Sequence, residues 1–363
     1  MKAIALVLLV AAFSATGCKK SDGVQFYDDN FPAKLSDWKL FVRSGENLTM
    51  AAGLIPYDLN SPLFSDYARK FRTVYVPPGK SAEYTKIGVL NLPVGTILSK
   101  TFYYPRKAGA VESSDFPSMK ENHVIETRLL VHTSDGWVGL PYIWNKEGTE
   151  ATLEITGGDS NVQSFDMDGK PIAFKYSVPN QGQCSGCHSA RRGEDKVMTP
   201  IGPKARQLNK VYAYKGGPEN QIEHWKKSGI LNVPADAVVV RNAVWNDPQT
   251  GTVEERARAY LDVNCAHCHI EYGPANQSGL ILSLENQEPH RFGVCKSPTA
   301  AGRASANMDY DIVPGNPDSS ILIHRMTSTE AGIRMPELAR SLLHKEGLSL
   351  VREWVKQMKG NCN

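Results

Sequence analysis

Two pentapeptides dominate the chemistry of this chain: Cys184-Ser185-Gly186-Cys187-His188 and Cys265-Ala266-His267-Cys268-His269. Each places two thiols three residues apart and an imidazole directly after the second. Two thiols at that spacing reach the two vinyl groups on one edge of a porphyrin, and the next imidazole then lies under the iron. Composition alone would produce about 0.003 such matches in a chain of this make-up, so two are not accidental. A thioredoxin-like pair does not require the histidine. A four-cysteine zinc site uses pairs about 15–20 residues apart, whereas 77 residues separate Cys187 from Cys265. The expected cofactors are two covalently bound haem c groups, held by Cys184, Cys187, Cys265 and Cys268, with His188 and His269 as proximal ligands.

The sixth ligands are less directly written. Met335, in Gly332-Ile333-Arg334-Met335-Pro336, follows His269 by 66 residues, and Pro336 keeps it out of helical conformation. It is preferred over Met326 and Met308 as the second haem's distal ligand. For the first haem the candidates are Met198, His224, His267 and an open position. Met198, just before Pro200-Ile201-Gly202-Pro203, is preferred. No catalytic residue is assigned.

The elements that must position these groups are legible in part. Thr252-Val253-Glu254-Glu255 is a capping box, and Val253, Ala257, Tyr260 and Leu261 form the apolar stripe of a helix running into Cys265. Leu348, Val351, Val355 and Met358 mark a second amphipathic helix beside Trp354, and Asp318 to Thr327 a further one. A helix before C-x-x-C-H, Gly273-Pro274 after it and a closing helix resemble a small class I cytochrome c. Upstream the text is β-rich: Thr73 to Val76, Thr96 to Tyr103, Thr127 to Val131, Trp137 to Trp144 and Ile172 to Tyr176. His123, His132, Trp137, Tyr142 and Trp144 are expected to be packing or surface residues rather than a pocket lining. The expected class is α+β, an antiparallel β-rich N-terminal domain followed by mainly α-helical cytochrome c-like haem domains.

Lys2, the apolar run Ala3 to Phe13 and Ser14-Ala15-Thr16-Gly17-Cys18 have the layout of a secretory signal. The small residues before Cys18 resemble a lipobox, in which that cysteine is lipidated. The organisation read from the sequence is a lipoprotein signal peptide over 1–17, a tether over 18–30, a β-rich domain over 31–180, a first haem-attachment segment over 181–250 and a cytochrome c-like domain over 251–363. Of seven cysteines, Cys295 and Cys362 remain after lipid and haem are served. In an oxidising compartment they are expected to form a disulfide. A net charge of +3 gives no reason to expect nucleic acid.

Over nearly the whole mature length the chain resembles a family of bacterial di-haem c-type cytochromes with a β-rich N-terminal half. The resemblance is carried by Ile55-Pro56-Tyr57-Asp58-Leu59-Asn60, Pro62-Leu63-Phe64-Ser65-Asp66, Pro93-Val94-Gly95-Thr96, Lys100-Thr101-Phe102-Tyr103, Ile125 to Leu130, Pro203-Lys204-Ala205-Arg206, Ile312-Val313-Pro314-Gly315 and Met335-Pro336-Glu337-Leu338. It implies haem and electron transfer without a defined substrate. A β domain ending in C-x-x-C-H is also similar in outline to cytochrome P460, a haem enzyme. The expected function is electron transfer between redox protein partners on the periplasmic side of a bacterial membrane, with a lipid anchor; a soluble periplasmic protein is the alternative location. A haem oxidoreductase with one open iron under the β domain is the alternative function, and a ligand-sensing module a third.

Overall fold

The computed structural model describes residues 23–45, 47–112, 114–338 and 340–362. The expected signal peptide over 1–17, Cys18 and the first part of the expected tether lie outside the described residues. Among those described, no helix is long and apolar enough to cross a membrane.

A hairpin of β1 (Phe41–Ser44) and β2 (Asn47–Met50) precedes β3 (Leu54–Tyr57) and β4 (Arg69–Tyr75). There follow β5 (Ala82–Glu83), β6 (Ile97–Pro105), β7 (Asn122–Thr133), β8 (Gly136–Trp144) and β9 (Ala151–Leu153). The main sheet is antiparallel with order β3-β4-β6-β7-β8-β9. Its strands have both faces covered, so β6 reads Ile97-Leu98-Ser99-Lys100-Thr101-Phe102-Tyr103 with apolar residues on both sides rather than in clean alternation. One face carries Phe71, Leu129, Leu140 and Tyr142 against Leu35, Trp38, Leu40 and Phe41. The other carries Val74 and Leu98 against Leu208, Ile222 and Trp225 from later in the chain.

β10 (Gly158–Phe165) and β11 (Pro171–Val178) form a hairpin leading into α1 (Gln181–Cys187). Then come the hairpin β12 (Ser189–Arg192) and β13 (Asp195–Met198), the single turn α2 (Ala205–Leu208), the hairpin β14 (Val211–Tyr214) and β15 (Gly217–Asn220), α3 (Gln221–Lys227) and β16 (Leu231–Asn232), which pairs in parallel with β5. The C-terminal part has α4 (Val253–Asn264), α5 (Ile321–Thr327) and α6 (Lys345–Gln357).

The expectation of mainly α-helical cytochrome c-like haem domains is overturned. The described residues hold six α-helices, of which α4 with 12 residues and α6 with 13 alone exceed seven. The first attachment segment is built mostly from hairpins and loops. Between His269 and α5 the chain makes only short 3₁₀ turns and irregular backbone. The reason lies in its punctuation: Gly273, Pro274, Gly279, Pro289, Gly293, Pro298, Gly302, Pro314, Gly315 and Pro317 interrupt any helix before it can propagate.

α4 and α6 pack through Tyr260, Leu261, Leu348, Val351 and Val355 in a core that also holds Trp245, Phe292 and Trp354. Their approach is set by Gly347, where a Cβ would fall 2.4 Å from the Tyr260 ring. This unit is fastened to the sheet by buried carboxylates. Asp262 of α4 accepts from Lys204 at 3.3 Å, from Arg206 at 3.0 Å and from the Leu284 N–H at 3.4 Å. Asp66 accepts from the N–H groups of Ser341 and Leu342 at 2.7–2.9 Å. Cys295 and Cys362 are joined in a disulfide, with Cα atoms 5.2 Å apart, which ties the C-terminus to the loop before α5.

Gly347→Ala should destabilise the chain by about 1–3 kcal/mol, the usual effect of overpacking, read as a lower urea midpoint; an unchanged midpoint would contradict the Tyr260 contact. Asp262→Ala, which removes the fully buried carboxylate that Lys204 and the buried Arg206 share, should cost about 3–5 kcal/mol in the same assay.

Candidate functional site

The two attachment motifs take up the same local structure. At the first, Cys184 and Cys187 lie on α1, whose start is capped reciprocally by Asn180 and Gln183. The His188 N–H then bonds to the Cys184 carbonyl at 2.8 Å. At the second, α4 ends at Asn264 and one more turn follows, in which the His269 N–H bonds to the Cys265 carbonyl at 3.0 Å. The Thr252 and Glu255 capping box at the start of α4 sets where that turn falls. In both cases a helical turn places the two thiols at i and i+3, on one side of the backbone.

The imidazoles are prepared alike. His188 Nδ1 lies 3.2 Å from the Thr199 carbonyl, which can only accept, so Nδ1 carries the proton and Nε2 keeps its lone pair. His269 Nδ1 lies 3.0 Å from Ser278 Oγ, whose own hydrogen goes to the Ala275 carbonyl at 2.7 Å. Ser278 therefore accepts, and Nε2 of His269 is again the free ligand atom. Such a bond at the other nitrogen is how proteins orient metal-ligating histidines. Burial, then the charge of Lys100 and the neighbouring His267, pushes His188 down to about 3. Burial, then Arg325 and His267, pushes His269 down to about 4. Both are neutral at pH 7, as a ligand to iron must be.

Tertiary structure brings the motifs together. Ligand atoms of Cys187, His267 and Cys268 all lie within 4.8 Å of one another. Their hydrogen bond holds Cys187 well below the usual thiol range and Cys268 well above it. Gly186, inside the first motif, meets Leu338, where an added Cβ would be 3.0 Å from Cδ1. The meeting point opens into a cavity of about 1060 Å³ bounded by the sheet, the α1–β13 segment and the C-terminal part. That is the upper end of the roughly 300–1,000 Å³ found for small-molecule and cofactor sites. Cys184, Cys187, His188, Met198, Cys265, His267, Met326 and Met335 border it, and His269 is buried beside it.

The distal candidates are placed unequally. Met335 borders the cavity, its N–H bonded to the Arg325 carbonyl at 2.9 Å. Met198 borders it too, but as the β-hairpin partner of Ser189, the residue after His188. The Thr199 N–H also bonds to the His188 carbonyl at 2.6 Å. The Met198 thioether itself packs on the sheet beside Cys184: the Cβ position of Gly139 on β8 lies 3.7 Å from both the Met198 Sδ and the Cys184 Cβ. His224 is engaged elsewhere, 2.8 Å from Glu219 and stacked on Tyr214. His267 has a buried Nδ1 with no hydrogen-bond partner among the described residues.

Of the N-terminal aromatics and histidines, His132 stacks on Trp137, and Tyr142 receives the Trp38 indole N–H at 2.7 Å. The Trp144 indole donates to Thr127 at 3.0 Å. None of these, nor His123, borders the cavity.

What sequence reading missed is the wall opposite. Arg72, Lys100 and Arg128 are direct cross-strand partners on β4, β6 and β7, and all face the cavity, with Lys70 two residues from Arg72. The signal was present: Lys100 has the same parity as Leu98 and Phe102 on an otherwise apolar strand. Burial, then Arg128 and Arg72, pushes the Lys100 ammonium down to about 7.

Compared with protein-family models, with curated proteins and with solved structures, the chain matches none.

Four thiols in two identical turns, two imidazoles with free Nε2 atoms, an orphaned buried His267 nitrogen and a cavity of this size fit haem. The depressed histidines also fix a pH response. Unfolded, His188, His269 and the buried His344, itself pushed down to about 3 by burial, Lys70 and Arg340, titrate near 6.5. Below that pH the unfolded chain takes up protons that the folded chain refuses. Stability is therefore full above pH 6.5 and falls as pH drops towards 4, by at most about 1.4 kcal/mol per pH unit for each histidine. Urea midpoints at pH 7, 6 and 5 should decline in that order; a flat or rising series would show that these imidazoles are not buried as neutral groups.

Proposed function

We propose that this chain is a di-haem c-type cytochrome that transfers electrons between redox proteins outside the cytoplasm. The observation that carries the reading is that two C-x-x-C-H turns, far apart in sequence, border one cavity with Cys187 and Cys268 in contact. Cys184 and Cys187 would hold one haem and Cys265 and Cys268 the other, with His188 and His269 as proximal ligands and Met335 as the second distal ligand. When bound, the haems supply one-electron chemistry. The chain's own part is to hold both tethers side by side, to fix the tautomer and orientation of the imidazoles through Thr199 and Ser278, to keep them neutral by burial, and to exclude water with the sheet face. The likeness to bacterial di-haem cytochromes supports this, as does the Cys295–Cys362 disulfide, which suits an oxidising compartment. Lipidation at Cys18 would keep the protein on the periplasmic side of a membrane, near its partners.

A haem oxidoreductase is the second reading, favoured by one observation: the Met198 thioether is packed against Gly139 of the sheet. In that reading His188 alone would ligate the first haem from the chain, and the cavity would admit a substrate.

Pyridine haemochrome analysis of protein made with a c-type maturation system should find two haems per chain. Cys184→Ala/Cys187→Ala and Cys265→Ala/Cys268→Ala should each retain one. No covalent haem in the wild type would end both readings. Carbon monoxide added to the reduced protein decides between them: an unchanged spectrum supports the carrier, and a shift in about half the haem supports the enzyme.

A further inference from the structure

The inner face of the main sheet carries a feature that electron transfer alone does not require. Lys70, Arg72, Lys100 and Arg128 crowd onto three adjacent strands, where like charges directly opposite repel. The Arg72–Lys100–Arg128 row is in register, and Lys70 pairs with Phe102. The buried Phe102 ring sits at the centre: Lys70 Nζ is 5.9 Å, Lys100 Nζ 5.2 Å and the Arg128 guanidinium 4.4 Å from its centroid. Three cationic groups therefore lie within 5.9 Å of a single aromatic ring.

The carboxylates nearby do not match them. Glu126 is bound by both arms of Arg128 at 2.6–2.7 Å. Asp58 is shared by Arg72 and Lys210, each at 2.8 Å. Lys70 donates to the Ala68 carbonyl at 3.0 Å, and Lys100 makes no hydrogen bond or ion pair among the described residues. The two half-buried ammonium groups thus have no carboxylate within ion-pair distance among the described residues, an arrangement that an anion in the cavity would complete. The wall also lies beside the first motif. Gly139 on β8, two residues from the Arg128 partner Pro141, has its Cβ position 3.7 Å from Cys184 Cβ, and all of these groups border the same cavity.

We propose that Lys70 and Lys100, flanked by Arg72 and Arg128, form a binding site for a carboxylate or small oxyanion on the cavity side of the sheet, beside the first attachment motif. Phe102 sets the floor of the site, and the two arginines, already held by Asp58 and Glu126, fix its width. The carboxylate or oxyanion has two possible sources, a haem propionate or a free anion such as an oxyanion substrate. The site is built from the chain's own residues and does not depend on which redox reading holds.

The test is calorimetric titration of the full-length protein with sulfate at low ionic strength, alongside haem quantification on the same samples. One sulfate bound per wild-type holoprotein identifies a free anion. Binding confined to Cys184→Ala/Cys187→Ala, which lacks the first haem, identifies a propionate as the resident group. If that variant does not fold, a Lys100→Met shift in the pH dependence of the first haem's reduction midpoint gives the same answer. Wherever sulfate binds, Lys100→Met and Lys70→Met should each weaken it about tenfold or more, the effect of losing one charge-assisted hydrogen bond, while Lys100→Arg retains it. The proposal is overturned by sulfate binding that both methionine variants leave unchanged. It is equally overturned if sulfate binds neither protein and Lys100→Met leaves the midpoint's pH dependence unmoved. Absence of haem from the samples would remove the cytochrome reading, while sulfate binding would still decide the site.

Discussion

Asp262 has no exposed side-chain surface, yet it accepts hydrogen bonds from Lys204, Arg206 and the Leu284 backbone. A carboxylate so placed is stable only if every one of these partners stays in position. It sits on α4 three residues before Cys265, and its cationic partners lie on the chain that follows the first motif. Arg206 also pairs with Glu285. One charged cluster therefore joins the two segments that carry the C-x-x-C-H cysteines. The contact of Cys187 with Cys268, and the cavity behind it, depend on that junction.

The second fastening works in the same way from the other side. Asp66, on the loop between β3 and β4, caps the N–H groups of Ser341 and Leu342. Tyr67 reaches Glu346 at 3.0 Å, and the Phe64 N–H donates to Asn264. The loop that carries Met335 and Leu338 is in this way held against the first motif. Polar groups buried at a junction specify geometry as much as they stabilise it, because an alternative docking would leave each of them unpaired. That suits a site whose chemistry requires several atoms from distant segments in one place.

The inner sheet face follows a different rule from its outer face. Outside, Thr73 bonds to Ser99 at 2.6 Å and Thr101 to Thr127 at 2.8 Å within an otherwise apolar layer. Inside, the same strands present four cations to the cavity, of which Lys70 and Lys100 have no ion pair among the described residues. Proteins keep such locally unfavourable choices where function uses them. The sheet is therefore both a scaffold for α1 and an electrostatic wall for whatever the cavity holds.

Much of the chemistry was legible in the residues themselves. The two C-x-x-C-H spacings, the capping box at Thr252 and the stripes of α4 and α6 are local patterns, and local patterns obey 3.6-residue periodicity and fixed bond geometry. The strand runs around Val74, Leu98 and Leu129 were readable for the same reason. The helical haem domains expected from them did not follow, because two good helices say nothing about the glycine- and proline-broken chain between. Nor could spacing reveal that Cys187 meets Cys268, that Met198 packs against Gly139, or that Lys70, Lys100 and Arg128 surround Phe102. Most of these contacts join residues 26 to 81 positions apart, and they are decided by strand register and by which buried charges find partners. Sequence by itself determined the reactive groups and the turns that hold them; only the tertiary structure decided their distances, because register and burial are properties of the packed chain rather than of any segment of it.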